Sequence, residues 1–327
     1  MPADFSVIIP SRNRPVLLRR AIDSVLGQTH GSVEVVVVND GSSGDNAREY
    51  SQLAQELSHR VRLIDLVNTP TGHGQSYAIN IGAAPAMGSH FCFLDDDDSW
   101  TDMDHLARAA EIIRGMGGNV DVYLANQSAC LNNEQVQPTG WLGKLLEQVK
   151  RPLSADRFGA YRVTVADLMQ CSGFEHLNVT MIRRELFERI GGMDHDIRYE
   201  CDRDFYLRMI DAASTMIYVP NIVSRHNIPD PRAKSSMSTA ISDLEKYLYQ
   251  LRVLDKAILF AEHQDIRAHA RKHKGYVLKH LAEALYNAHD YPKAAYYARE
   301  ALFISFSFKW LAFTSYLLLR RHFPVEL

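Results

Sequence analysis

Val33-Glu34-Val35-Val36-Val37-Val38-Asn39-Asp40-Gly41-Ser42 is a run of β-branched residues that breaks off into a polar turn. A strand with one wet face alternates apolar and polar residues, whereas a parallel strand covered on both faces reads as unbroken Val and Ile. Working outward, residues 5–10 read as a second buried strand and residues 16–26 as a helix entered through Pro15, whose fixed φ suits a first turn. Residues 61–67 and 90–94 repeat the strand theme, with helical stretches at 47–57 and 75–87 between them. The order βαβαβαβ predicts an α/β fold: a Rossmann-like, mostly parallel sheet flanked by helices.

Ligands of such sheets bind beyond the carboxyl ends of the strands. Those ends carry Ser11-Arg12-Asn13, Asn39-Asp40-Gly41-Ser42 and Asp95-Asp96-Asp97-Asp98, so polar chemistry is expected to gather at one edge. A helix to about residue 116 and an apolar strand near 120–131 follow, then an irregular stretch from 132 to about 161 and mixed short elements from 163 to 223. From about residue 239 everything reads as helix. We therefore expect one α/β domain over residues 1–235 and an all-helical region over 236–327, with Pro229 and Pro231 at the junction. Residues 275–302 have the apolar spacing of one tetratricopeptide-like hairpin, though a single copy also fits ordinary helix packing.

The net charge of -3 speaks against a nucleic-acid binder, which needs a basic footprint. The charge is unevenly spread: residues 240–327 hold 13 Lys/Arg against 9 Asp/Glu, and the rest is acidic. Cys92, Cys130, Cys171 and Cys201 form no CxxC pair, so neither zinc nor a disulfide framework is expected. No signal-peptide pattern precedes the strand at Phe5, and a cytoplasmic protein is the expectation.

The strongest chemical feature is Phe93-Leu94-Asp95-Asp96-Asp97-Asp98-Ser99-Trp100. Four successive carboxylates repel one another unless a cation neutralises them, and Mg²⁺ or Mn²⁺ takes carboxylate oxygens while sharing a substrate's phosphates. A solvated acidic turn is the plainer reading; the position at a strand end favours the metal.

These pieces together resemble the family 2 inverting glycosyltransferases, whose fold is called GT-A. The resemblance rests on Val7-Ile8-Ile9-Pro10-Ser11-Arg12-Asn13-Arg14, on Val36-Val37-Val38-Asn39-Asp40-Gly41-Ser42, on the helix with Ala78 and Asn80 before Gly82, and on Leu94 with Asp95–Asp98. It implies that Asp40 bonds the nucleotide base, that Pro10 and Arg12 lie beside the nucleotide with Asn80 on the same donor side, that Asp95 or Asp96 meets the ribose, and that Asp97 holds a divalent cation. Many members carry Arg just before the helix Asn; here that residue is Ile79.

A second match, Gly191-Gly192-Met193-Asp194 leading to Tyr199-Glu200-Cys201-Asp202-Arg203-Asp204-Phe205, resembles the segment that supplies the family's catalytic base, which puts Asp202 in that role. Cys201 stands where the family usually has Glu. A helix cap is the other reading of Asp202, and for Asp204 an ion pair with Arg208 is preferred. His226 falls where some members have a histidine that completes the metal shell or meets the diphosphate; a merely packed histidine is equally open, and His176 is a weaker candidate still.

The resemblance thus implies transfer of a sugar from a nucleotide diphosphate donor, expected to be a UDP-sugar, to a hydroxyl acceptor, with a lipid-linked glycan among the candidates. The rivals are a sugar nucleotidyltransferase, whose glycine-rich phosphate loop is lacking, and a non-catalytic glycan-binding scaffold, favoured by Cys201. Gly72-His73-Gly74 is no dinucleotide fingerprint, because it does not stand in the first strand-to-helix turn. Residues 304–319, apolar but for Lys309 and followed by Arg320-Arg321, suggest an amphipathic helix in a membrane interface; core packing is the alternative.

Overall fold

In a computed structural model of the chain, β1 (Phe5–Ser11), α1 (Pro15–Leu26), β2 (Val33–Asn39), α2 (Gly44–Glu56), β3 (Val61–Asp65), α3 (Gln75–Ala83) and β4 (His90–Phe93) follow the expected alternation. The structure describes residues 4–57, 59–131, 134–137, 141–171, 173–230, 232 and 236–320. The strands run β3-β2-β1-β4 in parallel, with Val7 opposite Val35 and Cys92. Side chains alternate across the pleat. Val7, Ile9, Val35 and Val37 join the core with Leu18, Ile22 and Tyr50, while Ile8, Val36 and Val38 face Gly82 of α3. Helices on both faces explain the unbroken apolar runs. Helix α3 stops at Ala83 rather than at 87: Ala84 still has helical backbone angles and donates to the Asn80 carbonyl, but Pro85 has no N–H with which to carry the helix on.

Beyond β4 come β5 (Ser99–Trp100), α4 (His105–Gly115), β6 (Val122–Leu131), β7 (Glu134–Gln137), α5 (Leu145–Gln148), β8 (Tyr161–Val163), α6 (Val165–Leu168), β9 (Thr180–Arg183), α7 (Arg184–Arg189), α8 (Cys201–Ala212) and β10 (Met216–Asn227). Strand β9 pairs antiparallel with both β4 and β6, and β10 lies parallel to β6 and antiparallel to β5. The sheet is therefore mostly parallel on one side and mixed on the other. Two of these pairings matter for chemistry. Antiparallel β9 brings its start, and the 3₁₀ turn Leu177–Val179 before it, to the end of β4. Antiparallel β5 and β10 pair Arg225 with Ser99, so the next step of the register sets His226 against Asp98.

The chain divides into two units, Met1–Pro231 and Arg232–Leu327. The expected divide at residue 235, Pro231 and Arg321 lie outside the described residues. The second unit contains α9 (Met237–Ala240), α10 (Asp243–Phe260), α11 (Gln264–Asn287), α12 (Tyr291–Ile304) and α13 (Phe308–Arg320). Ser242 and Glu245 form a capping box that starts α10. Leu281, Ala282, Leu285, Ala294 and Ala298, from the candidate hairpin, share one core with Trp310 and Leu317 of α13. Residues 304–319 are not one helix: α12 ends at Ile304 and α13 begins at Phe308.

Candidate active site

The sheet edge gathers the acidic run as expected, and the four carboxylates meet different sets of partners, with Arg14 shared between Asp96 and Asp97. Asp95 accepts a 2.6 Å hydrogen bond from Gln75 Nε2 at the start of α3, and its own N–H donates to Asn178 Oδ1 at 2.9 Å. Asp96 is buried, accepting from Ser11 Oγ at 2.6 Å and from Arg14 at 3.1 Å. The same Arg14 nitrogen reaches Asp97 at 2.9 Å. Asp98 is buried deepest: it accepts from the Asn227 N–H at 2.6 Å, lies 2.7 Å from His226 Nδ1, and is bonded by the Asn178 amide.

Around this run stand two histidines. The His226 and His176 rings lie 4.8 Å apart, with the Trp141 ring 5.3 Å from the first and 5.7 Å from the second. His176 Nε2 is 3.8 Å from Asp95. Two overlapping groups could each hold a metal ion: Asp95, Asp97 and Asp98, and Asp98 with His176 and His226. Within each group the donor atoms lie within 4.8 Å of one another.

The electrostatics record the same crowding. Burial, then repulsion from Asp98 and Asp96, pushes Asp97 up to about 6. Burial also raises Asp95 well above the carboxylate range, helped by Asp98, Asp97, Asp96 and Asp202. His176 is pulled down to about 4 by burial and by His226, which leaves a neutral imidazole fit for metal ligation. Burial opposes the charged form of His226 as well, but the hydrogen bond and charge of Asp98, with Asp97 and Asp202, outweigh it and raise its pKa. Oxygen and imidazole donors, crowded and short of cationic charge, fit a hard divalent cation.

Asp202 lies in the first turn of α8, one residue inside the helix rather than at its cap, and takes the Arg203 N–H at 2.9 Å. Burial raises its pKa; Arg203 and His226 act against that rise. Cys201 is buried, its Sγ 3.7 Å from Gln75 Oε1, so Gln75 links the position of the expected Glu to Asp95. Glu200 approaches Arg203 at 2.9 Å. Asp204 pairs with Arg208 at 2.9 Å, as the spacing suggested.

The other donor-side candidates are engaged by backbone. Asp40 accepts from the N–H groups of His73 and Gly74 at 2.8 and 2.9 Å. Gly72, at φ +67°, comes so near that a Cβ there would lie 2.5 Å from the Asp40 carboxylate, which explains that glycine, while Gly74 sits at φ +100°. Arg12 donates to the Thr69 carbonyl at 2.6 Å, and Pro10 sits half-buried in β1 opposite Val38. Asn80 bonds the Met193 backbone in both directions, at 2.8 and 2.9 Å, and touches His195; a ligand there would share or displace those bonds. Ile79 is fully buried, so no charge is offered at that point. Sequence reasoning did not single out Asp98, Asn178, Gln75, Arg14 or Trp141. The β5–β10 register places Asp98, and nothing in the linear sequence marks its role or those of the others.

Comparison with known proteins shows the family and the fold. The family model for glycosyl transferase family 2 matches residues 6–191. A glycosyltransferase of Nostoc sp. is 44% identical over 97 residues, 29% of each chain. Glycosyltransferase GlyA of Streptococcus pneumoniae is 38% identical over 105 residues, 31% of this chain and 14% of its own. These two matches span less than a third of either relative. A Haemophilus influenzae glycosyltransferase is 24% identical over 249 residues, 76% of each chain. In fold, the chain resembles TarS of S. aureus in complex with UDP-GlcNAc, at TM-score 0.63 and 18% identity over 92% of this chain and 81% of that one. It also resembles the mannosyltransferase PcManGT of Pyrobaculum calidifontis in complex with GDP-Man and Mn²⁺, at TM-score 0.58 and 18% identity over 99% and 84%. The fold is GT-A, and the chain belongs to glycosyl transferase family 2.

Proposed function

We propose that this glycosyltransferase moves a sugar from a nucleoside diphosphate donor, a UDP-sugar first among candidates, to an acceptor hydroxyl with inversion at the anomeric carbon. The observation that carries the reading is the convergence of Asp95, Asp97 and Asp98 with His176 and His226 at the carboxyl edge of the sheet. Asp97, Asp98 and the two histidines would hold Mn²⁺ or Mg²⁺. The cation would supply stabilisation of the charge that grows on the leaving diphosphate. TarS and PcManGT, of like fold, are in complex with UDP-GlcNAc and with GDP-Man and Mn²⁺ respectively, which supports a nucleotide-sugar donor.

Each candidate residue has a task in this scheme. Asp40, framed by the Gly72-His73-Gly74 backbone, keeps lone pairs for the base of the nucleotide, with Pro10, Arg12 and Asn80 on the same side. Asp95 and Asp96 are held rigidly by Gln75 and by Ser11, ready for the ribose. Since Ile79 brings no charge, Arg14 is the cation best able to swing from Asp96 and Asp97 toward the diphosphate. Asp202 takes the acceptor proton as the hydroxyl oxygen bonds the anomeric carbon and the bond from that carbon to the diphosphate breaks. Its raised pKa makes it a stronger base than an exposed aspartate.

Calorimetric titration with UDP tests the metal half of this reading. Binding should weaken at least about ten-fold when EDTA replaces Mn²⁺, and Asp97→Ala should lose most of the metal-dependent part. Equal UDP affinity with and without the cation would remove the metal from the account.

A further inference from the structure

The second unit carries chemistry that the transfer reaction does not use. Between α12 and α13 the chain turns through Phe303-Ile304-Ser305-Phe306-Ser307-Phe308, and three phenylalanines stand in solvent: Phe303 and Phe308 are 81% exposed and Phe306 61%. The Phe306 and Phe308 rings meet edge to face at 5.3 Å, so they form one apolar knob rather than scattered contacts. Ile304 and Leu311 beside them are exposed too.

The turn rests on the middle of α11. A Cβ at Gly275 would lie 3.3 Å from Ile304 and Ser305, and Lys279 Nζ is 3.4 Å from Ser305 Oγ and 5.5 Å from the centre of the Trp310 ring. Arg271 and Lys272 lie one turn earlier on that same helix face, by the three- and four-residue spacing of an α-helix, and both are exposed. Lys309 follows Phe308 directly. No Asp or Glu occurs from 301 to 319, and Glu300, just before, faces Arg299 at 3.8 Å. An exposed aromatic knob thus has Lys279 and Lys309 beside it and Arg271 and Lys272 one turn away on the face of α11 that it rests on, with no carboxylate in the segment that bears it.

From this surface we infer that the turn at residues 303–308 docks on an anionic lipid bilayer, the phenylalanines entering the headgroup boundary and the four cations meeting lipid phosphates. Charge complementarity selects this occupant. A two-fold contact with a second copy would set the cationic rim against itself, which costs affinity. Among the described residues no helix is long and apolar enough to cross a membrane, so the contact is interfacial. The inference stands apart from the transfer chemistry and concerns where the catalytic unit works.

Flotation of the full chain with phosphatidylcholine vesicles, with and without phosphatidylserine, tests it. The chain should float with the anionic vesicles at low salt, less so at high salt, and poorly with neutral ones. The combined variant Phe303→Ser, Phe306→Ser, Phe308→Ser should lose about ten-fold or more of that binding, and Lys272→Glu with Lys309→Glu a similar share. All five positions are exposed, and unchanged circular dichroism together with unchanged donor binding will certify folded variants. Failure of the wild-type chain to float with any vesicle overturns the inference, as does equal flotation of the variants. Sedimentation velocity adds a further outcome: a wild-type dimer made monomeric by the phenylalanine changes would reassign the knob to self-association.

Discussion

His105 is fully buried where α4 begins, its ring 5.1 Å from that of Trp100 and 6.0 Å from that of Tyr123, and neither ring nitrogen has a hydrogen-bond partner. Burial pulls its pKa down to about 3. The unfolded chain, with an ordinary histidine near pKa ~6.5, takes up the proton first as pH falls. Stability from the neutral ring is therefore complete above that value and declines below it, by up to about 1.4 kcal/mol per pH unit until the folded pKa is reached. Chemical denaturation of wild type and His105→Leu between neutral and acidic pH should give a difference that shrinks or reverses in favour of Leu as pH drops. Parallel curves would mean that the buried imidazole does not resist protonation. Residue-scale legibility was uneven. The run Asp95–Asp98 and His226 announced themselves through their types, but which of four successive carboxylates turns inward is decided by pairing across β5 and β10, which composition does not encode. Asp98 therefore came from the structure, and His176, a minor candidate in the sequence, gained its place from the 3₁₀ turn that follows it.

At the scale of elements, β1, β2 and β4 were legible because double-sided burial writes itself as unbroken β-branched and aromatic residues. Strands β5 and β9, two and four residues long, leave no such record, yet they carry Asp98 and His176 to the site. The expected helix at 304–319 begins only at Phe308 for a related reason: apolar content continues through Ser305-Phe306-Ser307, where the backbone turns. Helix α3 gives the sharpest test of packing. A Cβ at Gly82 would lie 2.7 Å from Ile8 Cγ2 and 2.9 Å from Val38 Cγ2, so α3 sits directly on β1 and β2. Gly82→Ala should lower unfolding free energy by about 1–3 kcal/mol in urea titration, because overpacking outweighs the ~1 kcal/mol gained in helix propensity. A net gain in stability would mean that the helix can lift without loss, and that the start of α3, with Gln75, is held less firmly over Asp95 than the geometry implies.

Across the whole molecule, charge and chemistry divide between the two units. The first is acidic and ends its sheet in carboxylates and histidines; the second is basic on balance and presents aromatic side chains. Family membership and the GT-A sheet account for the first, and the order of the strands brings Asp95, Asp97 and Asp98 together with His176 and His226. Inverting transfer requires a single base on the acceptor side, and the account gives that role to Asp202. The direct test is turnover of a UDP-sugar with acceptor and Mn²⁺ at saturation, compared between wild type and Asp202→Asn. Asparagine keeps the size and the bond from the Arg203 N–H but cannot take a proton, so transfer should fall by about 10²-fold or more while donor affinity is retained. Turnover within a few-fold of wild type would contradict the assignment and send the search for the base to another acidic side chain.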